Sequence, residues 1–328
     1  MQKSATSSSS DFPLVSVIAP CYNQERFVIE CLESIRAQDY PNLQIIVVDD
    51  CSQDASPKLI RDWIKANPSL QVIFVQNEQN LGVCKSMNRG LNMATGKYIA
   101  RVDTDDVWEP RKISGQVRVM DSLPETTAVL YSDVYRMNES GALLPRHFIE
   151  NHRAFNRMPE GNIHEVMWNG NFIPFTTTLI RRSVFEKVGN YDEDLFYDDW
   201  DMWLRISKDF HFAYYPEPTA KYRIVNTSIS NSSINKMNLA DEIMFTKYLL
   251  QGLVPKSMRN QAANFAVRRI FRERSIAFGK GLDLLNRMIR LYGSPRLLYA
   301  WLLYRCGLEY KYYQLPLWIV KQVTSFMK

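Results

Sequence analysis

The chain reads as an α/β protein, a mainly parallel sheet flanked by helices, followed by a C-terminal helical region. Three observations carry this. The runs LVSVIA, LQIIVVD, QVIFV and KYIARV are short, apolar and β-branched, and helix-like segments separate them up to about Gln116. Such alternation is how βαβ units build a parallel sheet. After the polar stretch NTSISNSS, strand-like alternation stops and the patterns are helical. The charge divides at the same place: residues 251–328 hold 14 Lys and Arg against 3 Asp and Glu, whereas residues 1–250 hold 26 against 32. A boundary is therefore expected near Asn231, giving one domain over residues 12–230 and a basic helical region over 231–328. With 328 residues, 46% of them hydrophobic, the chain can bury one large core and a smaller one.

The first strand, LVSVIA, runs into Pro20 and a turn. A helix follows whose apolar face is Val28, Cys31, Leu32 and Ile35, at helical spacing. LQIIVVD places five apolar residues in six positions, as a central parallel strand does. Asp49 and Asp50 stand at its C-terminal end, where open parallel sheets bind ligands. Asp50 is placed to accept a hydrogen bond from a base or ribose, although Asp49, Asp50 and Ser52 also read as turn and cap residues. Asn80 and Gly82 open the next helix, whose N-terminus suits an anion. On it Lys85 and Arg89 lie four apart on one face, either reaching a phosphate or forming a solvated basic stripe. KYIARV is the fourth strand.

Three acids, Asp103, Asp105 and Asp106, follow that strand, on the sheet edge that also carries Asp50. Asp-x-Asp offers oxygens suited to a hard divalent cation, Mg²⁺ or Mn²⁺. Such an ion bridges phosphates and neutralises a departing diphosphate. Without it, mutual repulsion raises one or more of the acid pKa values.

Several chemistries are excluded. The first turn, APCYNQE, holds no glycine, and no G-x-x-x-x-G-K-[ST] occurs, which disfavours dinucleotide enzymes and P-loop NTPases. His147, His152, His164 and His211 form no metal-spaced cluster. Five scattered cysteines without CxxC spacing read as reduced, buried and cytosolic. MQKSATSSSSD lacks an apolar leader core, so residues 1–11 are expected to be a disordered tail.

VSVIAPCYNQERFVIECLESIRAQDYPNLQIIVVDDCSQDAS, NLGVCKSMNRGLNMATGKYIARVDTDDVWEP and YDDWDMWLRI resemble the family 2 glycosyltransferases over roughly residues 12–230. The resemblance implies the GT-A fold and inverting transfer, with a nucleotide-binding half at 12–106 and an acceptor half at 107–230. It implies that Asp50 contacts the base, commonly uracil, and that Pro20, Tyr22 and Asn23 frame the nucleoside. Asp103 and Asp105 match the DxD pair, Asp105 being the direct metal ligand, and Asp106 completes the motif. Asp199 takes the place of the catalytic base. Asp198 precedes it where Glu is usual, and Trp203 and Arg205 lie on the helix behind. A base must approach the anomeric carbon opposite the leaving diphosphate and remove the acceptor proton. Many relatives carry His in a YR-x-H segment; here KYRIV has Val225 at that place, leaving Arg223, Asn226 or Ser230 to help hold metal or diphosphate.

FIPFTTTLI reads as a strand near the reaction centre and Arg181–Lys187 as a helix. Trp168, Asn169, Asn171 and Phe175 either line an acceptor pocket or pack in the core. Residues 291–328 contain nine aromatics among Lys and Arg, the composition of a membrane interface, yet no stretch is long enough to span. The expectation is a cytoplasmic protein, peripheral on the membrane through residues 291–328, with a nucleotide-sugar donor and a glycan or lipid-linked acceptor. A packed helical cap or a homodimer interface is the alternative use of these helices. No nucleic-acid reader motif accompanies the charge. Two alternatives to the transferase are a nucleotidyltransferase and a nucleotide-sugar-binding protein without turnover.

Overall fold

The computed structural model describes residues 12–153, 155–225, 234–310 and 313. The chain falls into two units, Met1–Ser232 and Ser233–Lys328. The expected tail 1–11, the boundary residue Asn231, and Asn226 and Ser230 lie outside the described residues, as do residues 314–328.

In the first unit the four expected strands form: β1 (Val15–Cys21), β2 (Leu43–Asp49), β3 (Val72–Gln76) and β4 (Tyr98–Arg101). Between them run α1 (Val28–Arg36), α2 (Ser56–Ala66) and α3 (Val83–Met93). β1 pairs in parallel with both β2 and β4, and β2 with β3. The apolar runs of β1, β2 and β4 are buried almost throughout, which is why they read as continuous rather than alternating, while β3 at the sheet edge is half-buried. Gly90 lets α3 lie close on β1, since a Cβ there would meet Ile18 Cγ2 at 2.5 Å.

The second half adds β5 (Val107–Trp108), α4 (Lys112–Ser122), β6 (Thr127–Ser132), β7 (Tyr135–Met137), α5 (Phe148–His152), α6 (His164–Trp168), β8 (Leu179–Arg181), α7 (Ser183–Val188), α8 (Asp199–Asp209), β9 (His211–Tyr215) and β10 (Ala220–Arg223). The main sheet has the order β3-β2-β1-β4-β8-β6-β9. β8 runs antiparallel to β4 and β6, and the other six strands share one direction. The expected strand over FIPFTTTLI is shorter than its sequence suggests: Phe175–Thr177 is a 3₁₀ turn and only Leu179–Arg181 is strand. A second small sheet, β5-β10-β7, pairs β10 antiparallel with β5 and so sets Arg223 beside the acids that precede β5.

The second unit is helical: α9 (Ile234–Leu250), α10 (Arg259–Arg272), α11 (Arg274–Tyr292) and α12 (Pro295–Arg305). Met244, Phe245, Leu249, Ala262, Ala266, Val267, Leu285, Leu297, Leu303 and Tyr304 are buried. Glu242, fully buried, meets Arg272 at 3.0 Å and Arg268 at 3.8 Å. Of the described aromatics expected at a membrane surface, Tyr299, Tyr304 and Tyr313 are buried instead. The Tyr304 ring packs on Phe271, and Tyr313 Oη donates to Asn264 Oδ1 at 3.2 Å. Among the described residues no helix is long and apolar enough to cross a membrane. All five cysteines are free; Cys21, Cys31 and Cys84 are buried as expected, but Cys51 is half-buried and Cys306 exposed.

Candidate active site

The shared strand direction brings the C-terminal ends of β1, β2 and β4 to one edge of the sheet. The reversed β8 presents its N-terminal end there, with Leu179 opposite Ala100. Around this edge the polar residues sort into a bonded frame and an acidic centre.

The frame joins the loops after β1 and β2. Asn23 N–H donates to Ser52 Oγ at 2.9 Å, Gln24 N–H to Ser56 Oγ at 2.8 Å and Glu25 N–H to Asp54 Oδ2 at 2.9 Å. In return Gln53 N–H donates to Asn23 Oδ1 at 2.8 Å, and Ala55 N–H to Glu25 Oε2 at 2.9 Å. Asn23 adopts φ 54°, a left-handed conformation that Asn tolerates. Its side chain is thus a loop brace. Pro20 is half-buried and Tyr22 is exposed at 45%.

Asp50 is buried at 5%. Its Oδ1 accepts from Asn77 Nδ2 at 2.7 Å and Leu81 N–H at 2.8 Å, and its Oδ2 from Gly82 N–H at 2.8 Å. Asp50 therefore caps the start of α3, where Gly82 takes φ 86°. The cap reading of this residue is real, and Oδ2, with one donor, keeps room for another. Lys85 is exposed one turn into α3, and the Arg89 guanidinium donates to Asn77 Oδ1.

The acidic centre gathers Asp103, Asp105 and Asp106 from β4's end with Asp198 and Asp199 at the start of α8. α3 steers that second group. Asn88 bonds the Tyr191 backbone both ways, at 3.0 and 2.8 Å, and the Cys84 thiol donates to Leu195 O and Tyr197 O. Burial, with Asp103 next, pushes the Asp105 carboxyl up to about 6. Burial also drives Asp106, 1% exposed, well above the carboxylate range. Asp106 Oδ1 accepts from Arg223 N–H at 3.0 Å, while Oδ2 is buried without a partner. Burial, with Asp198 beside it, pushes Asp199 up to about 7. Asp199 Oδ2 accepts from Asn171 Nδ2 at 2.6 Å and Oδ1 from Trp200 N–H at 2.7 Å. A carboxylate poised near neutral pH at a helix N-terminus is suited to accepting a proton.

Sequence reading missed Arg101, 6% exposed in β4. Its Nε and Nη2 donate to Asp103 Oδ1 at 3.0 and 2.6 Å, and Nη1 donates to Asp198 Oδ2. The signal was present: an arginine inside an apolar central strand. Asn171, weighed as pocket lining or core packing, donates to Asp199, and its orientation is fixed because its Oδ1 accepts from Ile173 N–H at 3.0 Å.

Three expected site residues serve the framework. Trp203 is fully buried, its ring 4.4 Å from Phe175. Arg205 pairs with Asp201 at 2.8 Å and donates to Val188 O at 2.7 Å, closing α7. Trp168 is 1% exposed and donates Nε1–H to His164 Nε2 at 3.1 Å. Arg223, offered as a partner for metal or diphosphate, is committed too. It donates to Asp105 O at 2.8 Å and Glu30 Oε2 at 2.5 Å, over the Phe27 ring.

Among the described residues no three His, Cys, Asp or Glu side chains form a metal-holding group. Mg²⁺ and Mn²⁺ do not require one: they bind through one or two carboxylates plus substrate phosphates. The crowded acids, with Asp105 forced upward in pKa, match a site completed by a cation.

A profile described as "Glycosyl transferase family 2" matches residues 16–189, just over half of the chain. The chain belongs to this family. An uncharacterized glycosyltransferase of Methanocaldococcus jannaschii is 31% identical over 233 residues, 70% of this chain and 77% of that one. The family 2 chain is also 29% identical to a putative teichuronic acid biosynthesis glycosyltransferase, TuaG, of Bacillus subtilis, over 71% and 86% of the two chains. In fold, this glycosyltransferase is similar to the mannosyltransferase PcManGT from Pyrobaculum calidifontis, solved with GDP-Man and Mn²⁺. The TM-score is 0.59 at 19% identity, over 90% and 84% of the chains. The fold is GT-A, and the family favours the transferase reading over the nucleotidyltransferase one.

Proposed function

We propose that this glycosyltransferase transfers a sugar, with inversion, from a nucleotide-sugar (UDP-linked) to a glycan or lipid-linked acceptor in cell-surface polysaccharide synthesis. The observation that carries the reading is Asp199: a half-buried carboxyl at about 7, at a helix N-terminus, held on Asn171 and tied through Asp198 and Arg101 to the acids of β4. TuaG, named for teichuronic acid biosynthesis, supports polysaccharide synthesis; PcManGT, solved with GDP-Man, supports a nucleotide-sugar donor, and the similar fold of S. aureus TarS, solved with UDP-GlcNAc, favours UDP.

In this mechanism the two-loop frame and Asp50 position the nucleoside, with the exposed Tyr22 ring covering it. Asp103 and Asp105 would hold Mg²⁺ or Mn²⁺, which supplies charge neutralisation at the leaving diphosphate. Asp199 accepts the acceptor hydroxyl's proton as the glycosidic bond forms on the face opposite the diphosphate. Asn171 keeps one carboxylate oxygen oriented during that step.

The test is a panel of UDP- and GDP-sugars assayed for nucleotide release with and without Mn²⁺, followed by NMR of the product's anomeric configuration. Cation-stimulated release and an inverted product are expected. A retained configuration overturns the base assignment, and binding of a donor without any turnover favours the binding-protein reading. As a second element, the helical unit would meet an anionic membrane through Arg287, Arg290, Leu291 and Leu298, all exposed.

A further inference from the structure

Asp198 stands at the N-cap of α8, a position where Asp ordinarily bonds the helix's own free N–H groups. Here it makes no such bond. Its carboxylate, 7% exposed, turns instead to Arg101 Nη1, across 97 residues of sequence. The rest of the guanidinium lies on Asp103 Oδ1. Phe175 lies under it, with its ring centroid 4.6 Å from the guanidinium carbon. Phe175 in turn packs 4.4 Å from Trp203, one turn along α8 from Asp199. Arg101 is thus fixed to α8 by an ion pair and through an aromatic stack. The planar fork of Arg can span two carboxylates, whereas a Lys ammonium acts as a point charge.

We infer that Arg101 is a positioning residue that joins the two halves of the site, holding Asp103 at the end of β4 and Asp198 at the head of the base-bearing helix on one guanidinium. This rests on the reading of Asp199 as base. Transfer needs the base at a set distance from the donor, and this guanidinium bonds directly to an acid at β4's end and to one at the head of α8. The same cation opposes part of the upward push that burial and mutual repulsion give Asp198 and Asp199. The charged groups facing Asp199 are Asp198 on its own element and Arg101 from β4, with neutral Asn171 opposite. His164 of α6 and Lys187 of α7 meet α8 at its other end, at Ser207 and Asp209.

The experiment titrates the full chain in EDTA with ¹³C-carboxyl aspartate, using Asp199→Asn to assign the Asp199 signal. It then measures the pH dependence of donor turnover in Arg101→Gln, Arg101→Lys and Asp198→Asn. Losing the cation in Arg101→Gln makes the pair take its first proton at higher pH, and turnover at neutral pH falls by about 100-fold from misplacement. Arg101→Lys keeps the titration near wild type but not the turnover. Asp198→Asn lowers the Asp199 titration, because the neighbouring anion is gone and Arg101 stays. A titration unmoved in both Arg101→Gln and Asp198→Asn overturns the inference, as does full turnover in Arg101→Gln. If Arg101→Gln fails to fold, Asp198→Asn and Arg101→Lys decide by the same criteria. If the titrations move as expected while the acid limb of turnover does not follow, Arg101 stands and the assignment of Asp199 as base fails.

Discussion

The two sides of the sheet edge are built on opposite principles. After β1 and β2, the loop donors and acceptors meet one another, and Asp50 spends its carboxylate on Asn77, Leu81 and Gly82. After β4, five carboxylates gather, Arg223 turns its guanidinium to a backbone carbonyl and Glu30, and Asp106 Oδ2 finds no partner. The first region is satisfied and would be rigid before any ligand arrives. In the second, Arg101 offsets Asp103 and Asp198, while burial leaves Asp105, Asp106 and Asp199 with unfavourable charge that a cation or a proton would relieve. The difference teaches which residues to remove for function and which for stability: acids of the centre should cost activity and return stability, and acids of the frame the reverse.

The largest effect is expected from Asp105→Ala. Turnover should fall by about 10³-fold or more, since charge stabilisation of the leaving group is worth several kcal/mol. The metal-free protein should melt higher than wild type, because burial and Asp103 both oppose the Asp105 anion. Turnover and melting temperature measured on one preparation check both halves. A variant that melts lower in EDTA would place Asp105 with the frame and erase the contrast.

Asp199→Asn comes next, with turnover down about 10²- to 10⁴-fold, the range of a lost general base, and donor affinity nearly retained. A pH signature accompanies it. The folded Asp199 titrates at about 7, above the ordinary range, so between the two values the folded state binds more protons than the unfolded. Stability therefore falls as pH rises from about 4 to about 7. The metal-free wild type should melt higher near pH 5 than near pH 8 by this contribution, and Asp199→Asn should lose it. Melting curves that respond to pH identically in both proteins would remove the raised carboxyl from the account.

Asp50→Ala tests the other side. Three donors lose their acceptor, two of them backbone groups at the head of α3, for a cost of about 1–3 kcal/mol per donor left unsatisfied. Melting should drop clearly, and turnover only in proportion to weakened donor binding, seen as KM rather than kcat. A large fall in kcat with normal stability would move Asp50 into the reacting centre.

How much of this was readable follows from where each interaction is encoded. The strands, α1 and α3 are local patterns and stood out in the sequence, and so did the acids, because parallel topology puts strand ends together. Arg101 was visible only as an oddity within an apolar run, since its meaning lies 97 residues away at Asp198. Phe175–Thr177 looked like strand because β-branched threonines satisfy the propensity, but Thr177 and Thr178 turn their hydroxyls to Pro174 O and Phe175 O and close a 3₁₀ turn. Trp203 resembled a site residue by position in a motif. Its spacing from Ile206 and Ser207 places it on the buried face of α8, and that periodicity was the better guide.

The smallest effect concerns the second unit, where a buried carboxylate paired through one oxygen contrasts with exposed arginines. Glu242 meets Arg268 and Arg272, whereas Arg287 and Arg290 stand exposed one helical turn apart, next to exposed Leu291. Truncation near Leu291 is a poor test, because Leu297, Ala300, Leu303 and Tyr304 are buried and their loss would unfold the helices. Charge reversal is cleaner. Each Arg near an anionic surface contributes about 1 kcal/mol, so Arg287→Glu with Arg290→Glu should weaken binding to phosphatidylserine vesicles at low salt by about tenfold or more. Turnover on a water-soluble acceptor should not change. Wild-type protein that leaves such vesicles in the supernatant at low salt would sink the membrane reading and leave these arginines as a solvated face.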